Sequence, residues 1–430
     1  MVDRYDVAIA GAGPAGAQCA RDLATRDYDV VVLETESEDE FPRQSNKSTA
    51  GTFPSMMSSF GIPDDVVMSY TDDVVLESPN EYYESYQPGA VLEFADFKRF
   101  LVADGRENGA EYRFDARVSR PVLDDDGVIE GVRYNGDEEV YADVVIDATG
   151  PAAPLASALD VVDLERENQA IGIEYEMSGV EMNHPDYADL RRAMMLRLDH
   201  EIAPGGYSWI FATGEDTAKV GICYIQNDRH REFAEAGKTV DGYLDDWIDR
   251  DPRFAEAEQI DETVHRGSAH IQRPAQMHTD GFIAIGDTVP SIDPLWGEGI
   301  HKGMKSARAA AATVDRCLTD SERRTDAESL AVYETLWHRD VAPRARSRLA
   351  LTELLYLAPN ERYDRLMRDL QETDDDILAK ANRGEKAGMA RLLHLDDVPL
   401  LAKYAREPLD VCGDPSRGAP PAEPLLPPRA

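Results

Sequence analysis

The stretch RYDVAIAGAGPAGAQCARDLATRDYDVVVLETE, Arg4 to Glu36, decides the fold. The apolar run Val7 to Ala10 reads as a buried strand, and Gly11, Gly13 and Gly16 follow it in G-x-G-x-x-G spacing. A helical segment comes next. A second apolar run, Val30 to Leu33, closes on Glu34. Glycine at these three places permits a tight turn, a close approach to a diphosphate, and snug contact between helix and strand. The helix N-terminus then holds the negative charge, and an acid about 20 residues on accepts hydrogen bonds from a ribose. The glycine spacing alone is a weak signal. The strand before it, the helix after it and the placed acid make it a dinucleotide fingerprint at the head of a parallel sheet.

Two later segments have the same strand-to-loop character. YADVVIDATG, Tyr141 to Gly150, is an extended apolar strand ending in Ala-Thr-Gly. The residues before it, 117–140, alternate like hairpin strands around Asp-Gly and Asn-Gly turns. GFIAIGDTVPSIDPLWGEGIHKGMKSARAAA, Gly281 to Ala311, runs from an apolar strand into Gly286-Asp287. A prolyl loop follows, and Gly297 and Gly299 then open an alanine-rich helix. Strands of this type can return to one sheet around one ligand.

Between Gly150 and Asp280 the pattern changes. AIGIEYEMSGV (Ala170 to Val180) and GGYSWIFATGEDTAKVGICYI (Gly205 to Ile225) read as antiparallel strands, with a helix over them from about Thr239. Tyr207, Trp209 and Phe211 alternate, so all three face one side of their strand. Beyond about residue 305 the chain is helical, and Tyr363, Leu366, Met367 and Leu370 mark one buried helix face. The expected class is α/β, α+β overall: a Rossmann-like dinucleotide domain, an inserted antiparallel-sheet substrate domain, and C-terminal helices. Residues 1–75, 95–155 and 275–320 are assigned to the first. Residues 76–94 and 156–274 are assigned to the second, 321–410 to the helices, and the proline-rich 411–430 to a disordered tail.

The 83 acidic and 45 basic side chains leave a net charge of -38, spread along the whole length. Diffuse acidity suits a surface built for high salt, where screening removes self-repulsion. It excludes a nucleic-acid binder, which needs a basic stripe. Cys19, Cys223, Cys317 and Cys412 lack metal-ligand or redox spacing and read as reduced thiols of a cytoplasmic protein, so no metal site is expected. No stretch has the apolar length of a membrane span, and the N-terminus carries no signal-peptide pattern. A lipid substrate would therefore be met by peripheral contact with the membrane.

The order of these elements resembles the flavoproteins of the para-hydroxybenzoate hydroxylase fold. Within them the chain is similar to the geranylgeranyl reductase family, on GAGPAGAQCA, YADVVIDATG, the Gly281–Ala307 stretch and PGGYSWIF (Pro204 to Phe211). The resemblance implies FAD as cofactor. Gly11, Gly13 and Gly16 would meet its diphosphate, Glu34 the ribose, and Asp287 the ribityl or diphosphate region. Gly150 and Lys47 would also line the cofactor. Gly297, Gly299 and Ile300 would bring the helix entrance to the isoalloxazine edge. Tyr207, Trp209 and Phe211 match a Tyr-x-Trp-x-Phe motif that lines the pocket of an isoprenoid chain.

The implied activity is reduction of geranylgeranyl double bonds of archaeal ether-lipid precursors. Flavin would supply a hydride and an acid a proton. Tyr207 and His301 are the candidate acids, although His301 reads more readily as a polar helix residue packed under a loop. Glu298 is assigned to solvent or to the helix cap. The single nucleotide fingerprint leaves the electron donor as transiently bound NAD(P)H or a ferredoxin-like protein. The chain departs from the family in three places. Ser45 to Phe53 has no thiol, Phe94 stands where a basic residue often starts a helix, and Ala212-Thr213 follow the aromatic motif. A monooxygenase or halogenase of the same fold, a quinone-linked dehydrogenase and a lipid-binding protein are the alternative readings.

Overall fold

The computed structural model describes residues 3–43, 48–260 and 264–406. Lys47, Cys412 and the 411–430 segment lie outside them. Two sheets organise the chain. In the first, the strands Phe282–Ala284, Glu138–Asp147, Arg4–Ala10, Val30–Leu33 and Glu111–Arg113 lie side by side and parallel. Their register is what matters for function. Ala10 stands level with both Leu33 and Asp147, and Asp147 with Ala284. The loops opening at Gly11, Glu34, Ala148 and Ile285 therefore leave the sheet along one edge, at the carboxyl ends of the strands, where open α/β sheets place their ligands. The strands Val118–Leu123 and Ile129–Tyr134 add to this sheet as the expected hairpins.

The helices Pro14–Ala24, Phe94–Glu107 and Ile300–Thr319 cover the sheet. Their inner faces, such as Leu23, Phe97, Leu101, Met304 and Ala307, join the strands' Val and Ile side chains in one core. The Ser306 hydroxyl accepts from the Gly286 amide at 2.9 Å and donates to the Gly303 carbonyl at 2.7 Å, so the late helix fixes the Gly-Asp turn.

The second sheet is built from two blocks of chain. Gln169–Ser178, Ala218–Ile225, Gly206–Ala212 and Ala193–Arg197 come from the middle, and Val67–Glu77, Tyr82–Leu92 and Gly51–Thr52 from upstream. The blocks join where Ala193–Arg197 runs parallel to Val67–Glu77. Val67–Glu77 enters this sheet ahead of residue 76, since Val67 already pairs with Leu92, and Gly51–Thr52 joins it from further upstream still. Ile210, Ala212, Val220 and Ile222 face the helix Val240–Arg250 through Tyr243, Leu244 and Trp247. The opposite face looks back toward the first sheet. The helix Asn360–Glu372 buries Tyr363 and Met367 with Leu366 and Leu370 beside them.

Candidate functional site

A cavity of about 790 Å³ joins the two sheets. One end is lined by Gly11, Gly13, Glu34, Gly150, Asp287, Gly299 and His301, the other by Tyr207, Trp209 and Phe211. The sites read from separate stretches of sequence thus line one continuous space.

At the sheet end, Gly11 has φ +96°, and a Cβ there would lie 2.6 Å from the Ala148 carbonyl oxygen. A Cβ on Gly16 would lie 2.0 Å from the Gly11 carbonyl oxygen. These two glycines serve the protein's own packing. Gly13 differs: a Cβ there would meet no atom within 4 Å, and its residue caps the helix Pro14–Ala24. The open space at the positive end of that helix has room for a phosphate. Glu34 is partly committed. It accepts from the Ala12 amide at 2.7 Å and the Glu36 amide at 3.0 Å, which leaves lone pairs for a hydroxyl ligand.

Asp287 has no hydrogen bond or ion pair among the described residues. Burial pushes its carboxyl up to about 6. An acid turned into a cavity without a protein donor fits a ligand that brings hydroxyl donors, as a ribityl chain does. Gly299 caps the helix Ile300–Thr319 with no side-chain bond. A Cβ on it would make only ordinary contacts, 3.7 Å to Ile292 and 3.8 Å to Asp287. The protein itself therefore does not require glycine at Gly13 or Gly299.

Glu298 neither caps this helix nor stands alone in solvent. Its Oε1 lies 2.7 Å from His301 Nδ1. Against the burial that would raise it, His301 and the Lys302 and Lys305 charges hold this carboxyl below its ordinary value. His301 lines the cavity and also meets the Phe60 ring edge-on at 6.0 Å.

The aromatic strand forms the roof. The Tyr207 hydroxyl reaches Gly297, where φ is +64° and a Cβ would lie 2.0 Å from that oxygen. Tyr207 also lies opposite Cys223 on the neighbouring strand and stacks on Tyr356 at 6.2 Å. Burial, with Cys223 and Tyr356 nearby, raises its phenol well above the ordinary value. The group is held protonated. Gly221 clears space for the Trp209 indole, since a Cβ there would lie 2.3 Å from it. Phe211 packs over Gly51 and Met194.

Comparison with known proteins bears on this geometry. Residues 169–267 match the model of the geranylgeranyl reductase catalytic domain, and residues 6–212 that of lycopene cyclase protein. A digeranylgeranylglycerophospholipid reductase of Haloferax volcanii is 65% identical over 407 residues, 95% of this chain and 99% of the relative. The chain belongs to the digeranylgeranylglycerophospholipid reductase family. A second such reductase, from Methanopyrus kandleri, is 28% identical over 94% of this chain and 98% of its own. Among solved structures, a geranylgeranyl bacteriochlorophyll reductase-like protein of Thermoplasma acidophilum superposes with TM-score 0.77 at 20% identity, covering 94% of this chain and all (100%) of that one. The flavin-dependent brominase Bmp2 superposes with TM-score 0.72 at 19% identity, covering 94% and 100%. Both share the fold.

Beside the aromatic strand lies a buried polar set that motif reading missed in this chain. Trp209 Nε1 donates to Glu174 at 2.9 Å, and the Thr49 hydroxyl donates to the same oxygen. Lys219, opposite Phe211, donates to the carbonyls of Ser48, Thr49 and Leu92 at 3.3, 3.3 and 3.4 Å. Together they pin the Ser48-Thr49 loop against the cavity. The available signal was a charge at an inward position of a strand, in AIGIEYEMS and AKVGICYI.

The C-terminal helices act on the site as well. Arg348 grips Asp293 with Nη2 at 2.7 Å and Nε at 2.6 Å. Tyr356 donates to the Pro294 carbonyl at 3.1 Å, and Trp296 Nε1 to Asn382 at 2.7 Å. These contacts hold the prolyl loop that leads to Gly297.

Proposed function

We propose that the chain is an FAD-dependent oxidoreductase that saturates geranylgeranyl double bonds of ether-lipid precursors. The observation that carries this reading is the meeting of Tyr207 with Gly297, which brings an aromatic, isoprenoid-sized wall to the entrance of the late helix. Gly13 and Gly150 would hold the diphosphate end, on a turn that Gly11 keeps tight, with Glu34 at the ribose and Asp287 at the ribityl hydroxyls. Gly297, Gly299 and Ile300 would present their amides to the ring. When bound there in reduced form, FAD supplies a hydride equivalent.

The chain's own residues do the rest. Trp209 and Phe211 give the alkyl chain area and dispersion contacts and exclude water. Tyr207 keeps its proton and is the acid at the second alkene carbon, with His301 the alternative, reached through its pairing with Glu298. Reductant arrives from a transiently docked nicotinamide nucleotide or a ferredoxin-like protein, and substrate by peripheral contact with the membrane. Among the described residues no helix is long and apolar enough to cross a membrane.

The test is anaerobic. Holoprotein reduced with dithionite in high salt is offered unsaturated digeranylgeranylglycerophospholipid, and products are weighed by mass spectrometry. Masses rising in steps of two hydrogens are expected. An unchanged lipid together with substrate-triggered oxygen uptake in air would instead assign the monooxygenase reading.

A further inference from the structure

Lys98 is buried in the middle of the helix Phe94–Glu107, 3% exposed, yet it lines the cavity beside Glu34, Thr35 and Val118. Its ammonium lies over the Phe41 ring at 4.7 Å and the Phe94 ring at 5.8 Å. Among the described residues it has no hydrogen-bond acceptor and no ion pair. The nearest acids are already engaged: Glu34 with the Ala12 and Glu36 amides, and Glu36 Oε2 with the Arg43 amide at 3.0 Å. Two ring faces offer a cation some attraction but no acceptor for its three N–H groups. Burial drives this amine below its ordinary value, against the pull of Glu36 and Glu34. A fold gains nothing from such a group unless an anion comes to it.

The anion must enter through the cavity, where Lys98 feels the Glu34 charge and Glu34 in turn holds the Ala12 amide beside Gly13. We infer that Lys98 is the counter-cation of the adenosine-side phosphate of the bound dinucleotide. The inference rests on the FAD placement proposed above. In this chain Phe94 stands one helical turn earlier, so the charge reaches the cofactor from inside the helix and over that ring. Gly13 and the helix Pro14–Ala24 approach the diphosphate with backbone amides, and Lys98 adds the full positive charge that those dipoles lack.

The experiment compares apoprotein of wild type, K98M and K98R in the same high-salt buffer, titrated with FAD, FMN and ADP by fluorescence. K98M is expected to bind FAD and ADP about 10- to 100-fold more weakly, while FMN, which has no adenosine-side phosphate, binds as in wild type. K98R is expected to keep most of the affinity. The melting temperature of K98M apoprotein should equal or exceed that of wild type, because an apolar chain of similar length replaces an unpaired ammonium, while its gain on adding FAD shrinks. In wild type, FAD and ADP but not FMN should protect Lys98 from acetic anhydride, read by peptide mass spectrometry. That measurement stands even if K98M does not fold.

Binding of FAD to K98M within about twofold of wild type, equal losses for FAD and FMN, or acetylation blocked by FMN as well as by ADP would overturn the assignment. Wild type that takes up no FAD would overturn the placement on which it rests.

Discussion

The phenol of Tyr207 is held protonated by its surroundings, and that property makes it testable. Replacing it with phenylalanine removes one oxygen and keeps the wall. Y207F is expected to lower kcat by about 100-fold with little change in KM, measured with saturating lipid under anaerobic conditions. Equal kcat values would make Tyr207 part of the wall only. Asp287 gives a prediction of a different kind. Its folded-state value, about 6, lies above the ordinary 3.8, so the fold binds that proton more tightly than the unfolded chain does. Its contribution to stability is full below about pH 4 and is lost as the pH rises through 6. D287N apoprotein should therefore be more stable than wild type at pH 7, by at most about 3 kcal/mol, with the gap closing as the pH approaches 4, as followed by urea unfolding. Both residues were legible in the sequence because each sits in a short motif. Lys98 and Glu174 were not, since a single charge in a helix or strand reads as surface until the fold shows which way it points.

At the scale of elements, the site depends on a strand and a loop that are about 90 residues apart meeting at one oxygen. G297A should destabilise the protein by roughly 1–3 kcal/mol, through the positive φ and through the clash with Tyr207. Adding Y207F should return part of that loss in melting temperature, because the atom in the way is gone. No such recovery is expected for Gly11, whose Cβ would strike the Ala148 backbone. Strand–glycine–helix order and period-two alternation made both elements readable in advance, since these patterns are local. Their meeting was not readable. It follows from the joining of Ala193–Arg197 to Val67–Glu77 and from the Arg348–Asp293 and Tyr356–Pro294 contacts, all of which join distant residues. Glu298 shows the same limit: proximity to an anionic cofactor sent it to solvent in the reading, whereas the adjacent histidine three residues on gave it a partner.

For the whole molecule, the second sheet is tied by a buried ionic cluster. Arg253 donates to Glu77 at 2.8 and 3.2 Å and to Asp251 at 2.8 Å, and Arg197 joins Glu77 and Asp199. Glu77 lies on the upstream block and Arg253 on the middle one. R253A takes the shared cation from two buried carboxylates, leaving Glu77 to Arg197 and Asp251 to Trp247 and a backbone amide, and should cost about 3 kcal/mol in urea unfolding without moving the visible flavin spectrum. The net charge of -38 adds a dependence on medium: the melting temperature should climb with KCl as repulsion is screened within a few ångströms. Composition displayed that property at once, whereas the cluster depends on the parallel joint between Ala193–Arg197 and Val67–Glu77. That joint has a further consequence. Because the polypeptide visits one lobe, leaves for the other and comes back, neither lobe is a contiguous cassette. A gene cut anywhere from residue 95 to 165 would yield two fragments that each lack strands of both sheets, and they would have to find one another before either became solid. Nature could not have assembled this enzyme by end-to-end fusion of finished modules, and an engineer cannot exchange the half that carries the aromatic strand by swapping a single block.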